Sequence, residues 1–303
     1  MKRIIIKPLL IGLCSIIIFG CSSKDEFSDT IFDTTDKASD PASSTYQFDS
    51  WLRQNYLAPY NLDFNYKMVD VASDMSYNLV PTSLDKSFIM AKLIKYLWFG
   101  SYDAAAGTEF LKQNGPRMIF LIGSPAYNTV SGTMTLGTAE GGIKVTLYKC
   151  NSVDYTDISM LNKYYFHTMH HEFIHILHQK KMFPIEFQQI SVGLYSPAGW
   201  QNRSDAVAAS LGFVSPYGGS QVREDFAELL SIYLTDTDAQ WEALLTLANQ
   251  HVNSIDDGVD GKTVILQKMA IATAWLKDSW DIDVNDLRTE IQTRQSNIDQ
   301  LFK

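Results

Sequence analysis

Leu84, Phe88, Ala91, Ile94 and Leu97 recur at intervals of three or four after Ser83, which predicts a helix over 83–98 with one apolar stripe. Three extended runs follow. Residues 117–122, a Thr-rich stretch at 129–136, and 142–148 read as strands; in the last, Ile143, Val145 and Leu147 alternate with Lys144, Thr146 and Tyr148. After Asp157, which can cap a helix start, the pattern turns helical over 158–182, 202–210, 221–234, 238–250, 262–279 and 284–302. Strands first and helices second predict an α+β fold, a small mixed sheet followed by a helical C-terminal half. From Tyr46 onward neither a compositional break nor an internal repeat divides the chain, so 46–303 reads as one domain.

The first forty-five residues break this pattern. Lys2, Arg3 and Lys7 precede an apolar run from Leu9 to Phe19 that is short for a membrane span, which predicts a signal peptide over 1–20. The run ends in Ile18-Phe19-Gly20-Cys21, which resembles a bacterial lipobox. That resemblance implies cleavage before Cys21 and lipidation of its thiol. Residues 21–45, rich in Ser, Thr and Asp, read as a flexible acidic tether. Ser22-Ser23-Lys24-Asp25-Glu26 is similar to the tether that sends some lipoproteins to the outside of the outer membrane, so the expected location is the cell surface.

Composition narrows the chemistry. Of 303 residues 46% are hydrophobic, ample for a sizeable core, while 25 Lys and Arg face 34 Asp and Glu. Losing Lys2, Arg3 and Lys7 with the leader takes the formal charge from -9 to -12, which argues against nucleic acid as a partner and leaves membrane attachment to the acyl chains. Cysteines 14, 21 and 150 are too few for a disulfide framework or an all-cysteine zinc site. Cys150 reads as a buried core residue.

The helix at 158–182 carries His171-Glu172-Phe173-Ile174-His175, the H-E-x-x-H pattern. His171 and His175 fall one turn apart on one face, where two imidazoles can share a cation, and Glu172 lies about 100° round the helix, able to reach a water beside the metal. Leu161, Tyr165, Met169, Phe173 and Ile176 form a separate apolar stripe, leaving the histidine face to line a cleft. A histidine-rich exposed helix is the plainer alternative.

Zinc at such a site needs a third protein ligand and an open position. His178 and Lys181 stand where an H-E-x-x-H-x-x-G-x-x-H motif would have Gly and His, and His251 sits in a polar stretch, so the third ligand is expected to be a carboxylate. The candidate is the 221–234 helix, capped by Ser220, with Phe226, Leu229, Leu230 and Tyr233 toward the core. Glu224 and Glu228, one turn apart on the opposite face, repel unless a cation or donor lies beside them. Glu224 is read as the ligand and Glu228 as the acceptor that orients a histidine N–H; spacing alone leaves the reverse assignment, or a merely solvated acidic face, open. His167 and His178 flank the histidine stripe without an assigned role.

His171-Glu172-x-x-His175 followed by Glu224-x-x-x-Glu228 resembles the gluzincin arrangement of thermolysin-like metallopeptidases and the catalytic domain of anthrax lethal factor. The chain is more similar still to bacterial lipoproteins called "putative zinc-binding metallopeptidases" or substrate import-associated zinc metallohydrolases. The matching stretches are 168–179 and Gly212-Phe213-Val214-Ser215-Pro216-Tyr217 running into 224–228. The resemblance implies a zincin-like domain with one Zn2+ per chain, Glu224 as ligand, Glu228 behind a histidine, and Tyr217 as donor to an oxyanion. Gly218-Gly219 after that tyrosine departs from the lethal-factor pattern.

The expected activity is hydrolysis of peptide bonds in a peptide or protein substrate by a zinc-activated water, Glu172 serving as base. In related enzymes the substrate lies antiparallel to an edge strand, and 142–148 is the candidate. The alternative is a non-catalytic zinc-containing accessory or ligand-binding lipoprotein of an outer-membrane nutrient-import complex. A third is a structural lipoprotein without metal.

Overall fold

The structure is a computed structural model that describes residues 40–68, 77–127, 134–135, 137–140, 143–250 and 260–303. The leader, Cys21, most of the tether, His251 and most of the strand expected at 129–136 lie outside these residues.

The chain enters through helix α1 (Tyr46–Leu52), a π turn at Arg53–Leu57 and a closing turn α2 (Ala58–Tyr60), then strand β1 (Asp63–Asn65). Next come α3 (Leu84–Leu93), a π turn at Ile94–Phe99, α4 (Gly100–Ala106) and α5 (Thr108–Asn114). Strands β2 (Met118–Leu121), β3 (Ala126–Tyr127), β4 (Met134–Thr135), β5 (Gly137–Glu140) and β6 (Lys144–Leu147) follow. The remainder is helical: α6 (Ile158–Leu161), a π turn at Asn162–Phe166, α7 (His167–Lys180), α8 (Ile185–Ile190), α9 (Asp205–Ser210), α10 (Val222–Thr235), α11 (Asp238–Ala248), α12 (Gly261–Trp280) and α13 (Val284–Ser296). The α+β class and the helical C-terminal half agree with the hydrophobic pattern. Helices also precede β1, at 46–60, where aromatic and apolar residues crowd too densely to show one clear stripe, and lie between β1 and β2, at 100–114, where short helices broken at Gly107 leave no long repeat. Among the described residues no helix is long and apolar enough to cross a membrane.

The main sheet is ordered β1-β2-β6-β5, with β1, β2 and β6 parallel and β5 antiparallel to β6 in the register Gly137↔Leu147, Glu140↔Lys144. This corrects two expectations. The strand within 142–148 is interior, so it offers no free edge to a substrate; the edge on that side belongs to β5. The alternation around it also misleads, because Thr146 and Tyr148 are buried along with Val145 and Leu147, while Ile143 is exposed. A central strand covered on both faces hides its polar positions as well as its apolar ones.

The expected helix at 158–182 is real but interrupted. Asp157 caps it by accepting from the Met160 amide at 2.9 Å. The π turn at Asn162–Phe166 then adds a residue to the winding. Four-residue spacings from Leu161 to Tyr165, Met169 and Phe173 would drift about 40° per step round an unbroken α-helix. With the π turn taking up part of that drift, all four side chains and Ile176 are buried. One cluster of buried residues runs from Phe48 to Ile298, and Cys150 lies within it.

Candidate metal centre

The helices α7 and α10 lie against each other, and every charged group of the candidate site comes from this pair or the loop before α10. α10 begins at Gln221 without a side-chain cap; Ser220, expected in that role, has its hydroxyl buried and unpartnered among the described residues. What fixes α10 is Asp225, which accepts from Lys268 of α12 at 2.7 Å and from Tyr195 at 2.8 Å. Lys268 also donates to the Gly212 carbonyl at 2.8 Å, so one buried ammonium ties α12, α10 and the start of the 212–220 loop. Gly212 holds φ +83, and a Cβ there would collide with Val264 of α12.

Three donor atoms converge where α7 meets the first turn of α10. Glu224 Oε2 lies 3.0 Å from His171 Nε2 and 3.1 Å from His175 Nε2, and the two nitrogens are 3.0 Å apart. Protons alone cannot satisfy this triangle. With Glu224 held ionised, every placement leaves at least one edge with lone pair against lone pair or N–H against N–H. A cation among the three atoms relieves every edge. Zn–N bonds of about 2.0–2.1 Å imply a ligand-to-ligand edge near 3.3 Å, so the triangle fits one zinc with little adjustment. These three residues could hold a metal ion.

Behind this triangle the imidazoles are held from their other nitrogens. His171 Nδ1 is 2.8 Å from Glu228 Oε1, which also meets His167 Nε2 at 3.0 Å, while Ser215 Oγ donates to Glu228 Oε2 at 2.5 Å. The Gly218 amide in turn donates to Ser215 Oγ at 3.0 Å. Burial opposes charge on His171, yet its bonds to Glu224 and Glu228 raise the ring to about 10. Burial likewise works against ionised Glu224 and Glu228, but the histidines beside them hold both carboxyls well below the usual range. His175 Nδ1 is 2.7 Å from His178 Nε2. Burial, with His175 and Arg223 nearby, pushes His178 down to about 4, so its neutral ring can accept the His175 Nδ1–H and leave the His175 Nε2 lone pair toward Glu224.

Two hollows flank the triangle. One of 420 Å3 is lined by Met134, Gly137, His171, Glu172, Trp200 and Tyr217 among others, placing the β5 edge on one wall. A smaller one of 240 Å3 is lined by Glu172, His175 and Glu224. Glu172 borders both. The Tyr217 ring sits 5.9 Å from that of His171 and edge-on to Trp200 at 5.0 Å; burial and the adjacent Glu224 raise its phenol well above the ordinary value.

The structure therefore brings His171, Glu172, His175, Tyr217, Glu224 and Glu228 to one place. Residue patterns gave no role to His167, His178, Ser215 or Trp200. Only the first two left a signal, as histidines one turn from the H-E-x-x-H pair.

A mixed sheet beside a helix that turns two imidazoles to a carboxylate of the helix packed against it is an arrangement able to hold a zinc ion. The chain belongs to the family described as "putative zinc-binding metallo-peptidase", whose model matches residues 41–285. It is similar to a solved structure from Bacteroides caccae ATCC 43185 titled with the same description, at 45% identity and a TM-score of 0.73, covering 89% of this chain and 97% of that one. No curated protein matches.

Proposed function

We propose that the protein is a zinc-dependent peptidase in which His171, His175 and Glu224 hold one ion and Glu172 is the general base. The observation that carries this reading is the triangle of 3.0–3.1 Å among two imidazole nitrogens and one carboxylate oxygen, with Glu172 bordering the hollows on both sides. Zinc, when bound, supplies a Lewis acid for the scissile carbonyl and lowers the pKa of water to about 7. Glu172 takes the proton of the attacking water and returns it to the leaving amine. Tyr217, its phenol kept protonated, donates to the oxygen that becomes negative. Glu228 fixes the His171 tautomer, and Ser215 fixes Glu228. The substrate backbone pairs with the edge of β5, which borders the hollow through Gly137.

Cys21 at the end of an apolar leader supports a lipid anchor, and the acidic residues that follow it support display at the outer surface of the outer membrane. The test of the enzyme is zinc content together with cleavage of a peptide library by wild type and Glu172→Gln. The reading predicts cleavage by wild type alone, with zinc retained in both. Zinc-loaded wild type that cleaves no member of the library contradicts it.

A further inference from the structure

The hollow over His171 does not end at the metal triangle. It shares His167 and Glu228 with a larger pocket of 700 Å3, walled by the π turn before α7, the end of α10 and the start of α11. The two hollows therefore adjoin, with the His167–Glu228 pair, 3.0 Å apart, in the wall of both.

Most polar groups of this pocket are already engaged. Asn162 donates to the Thr235 carbonyl at 2.8 Å and accepts from Gln295 at 2.9 Å, and Thr237 and Gln240 close a capping box on α11. The Asp236 carboxylate differs. It lines the pocket, half-buried, and among the described residues it has neither a hydrogen bond nor an ion pair. Arg288 does not neutralise it directly; that guanidinium is taken by Asp238 at 2.5 Å and by the carbonyls of Tyr233 and Asp236. Lys163 stands at the exposed rim, its ammonium over the Tyr164 ring. Burial pushes the Asp236 carboxyl up to about 6, against the pull of His167 and Arg288. A carboxylate removed from water without a partner gains from an incoming cation.

Asp236 lies just past the end of α10, twelve positions beyond the proposed ligand Glu224, or about 18 Å of helix rise. An extended peptide crosses that span in about six residues. We propose that this pocket selects a lysine or arginine side chain of the peptide substrate, within about six residues of the scissile bond. The inference rests on the peptidase reading above.

The test uses zinc-loaded Glu172→Gln protein and fluorescent peptides that differ at one scanned position, carrying Lys, Arg, Gln or Met. At one position Lys or Arg binds at least about fivefold tighter than Gln, and adding Asp236→Asn abolishes the difference. Asp236→Lys reverses it. Both substitutions keep the backbone carbonyl that Arg288 uses. Equal binding of Lys and Gln at every position overturns the pocket, as does a preference that survives Asp236→Asn. Wild type is assayed on the same peptides. Basic preference in binding without any cleavage counts against the peptidase reading alone, and cleavage without basic preference counts against the pocket alone.

Discussion

Glu228 Oε1 stands 2.8 Å from Nδ1 of His171, and this contact sets which nitrogen of the ring faces Glu224. Both residues are buried, so neither contact is exchanged readily for water. In the proposed site the carboxylate would act through the imidazole rather than as a ligand.

Glu228→Gln is therefore expected to weaken zinc binding by about tenfold or more, because an amide lacks the carboxylate charge that sits 2.8 Å from His171 Nδ1. Competition with a chromophoric chelator measures it. Unchanged affinity would show that Glu228 serves only to pair with His167.

His178→Ala removes the acceptor 2.7 Å from His175 Nδ1 and leaves a part-buried N–H unpaired. Zinc affinity should fall about tenfold, and His178→Gln, which can still accept, should recover part of the loss. Equal affinities for wild type and His178→Ala would mean that the contact orients nothing.

Acidity acts differently on the protein with and without zinc. In the metal-free protein His171 is raised to about 10 from 6.5, so its contribution to stability is full below 6.5 and is lost as pH rises through 10. Glu224 and Glu228 are lowered, so their contribution is full above 4.5 and is lost as pH falls below it. The chelated protein should thus melt highest between these limits and lose stability from pH 6.5 to 10. Bound zinc would take the place of the extra His171 proton, so the loaded protein should not show the alkaline loss. Parallel melting curves against pH for the two forms would refute the assignment.

Lys268→Met leaves Asp225 as a buried charge with only Tyr195 to hold it. Unfolding free energy should drop by about 3–5 kcal/mol, and adding Asp225→Asn should restore much of it. Urea denaturation of wild type, single and double variants checks this. A single variant as stable as wild type would show that the ion pair contributes nothing to anchoring α10.

The parts of this molecule that the residue pattern made legible are those with one dominant local cause. The α7 and α10 helices, the Asp157 cap, the shared face of His171 and His175 and that of Glu224 and Glu228 all follow from spacing along a helix; that the two faces meet was implied by the family resemblance. What escaped depends on contacts distant in sequence. Thr146 and Tyr148 are buried because this part of the chain is covered on both faces of the sheet, which no alternation within 142–148 reveals. Ser220 misses its expected cap because α10 starts one residue later, with Gln221 at the N-cap position. Ser215 reaches Glu228 through a loop whose path the sequence leaves open, and the π turn at Asn162–Phe166 has no composition of its own.

The most direct measurement is the position of zinc in crystals of the loaded protein, located by anomalous scattering at the zinc edge. One ion bonded to His171 Nε2, His175 Nε2 and the Glu224 carboxylate, at about 2.0–2.2 Å, is the expected result. A protein that binds no zinc, or an ion seated on His167 and Glu228 with Glu224 out of reach, would contradict the account.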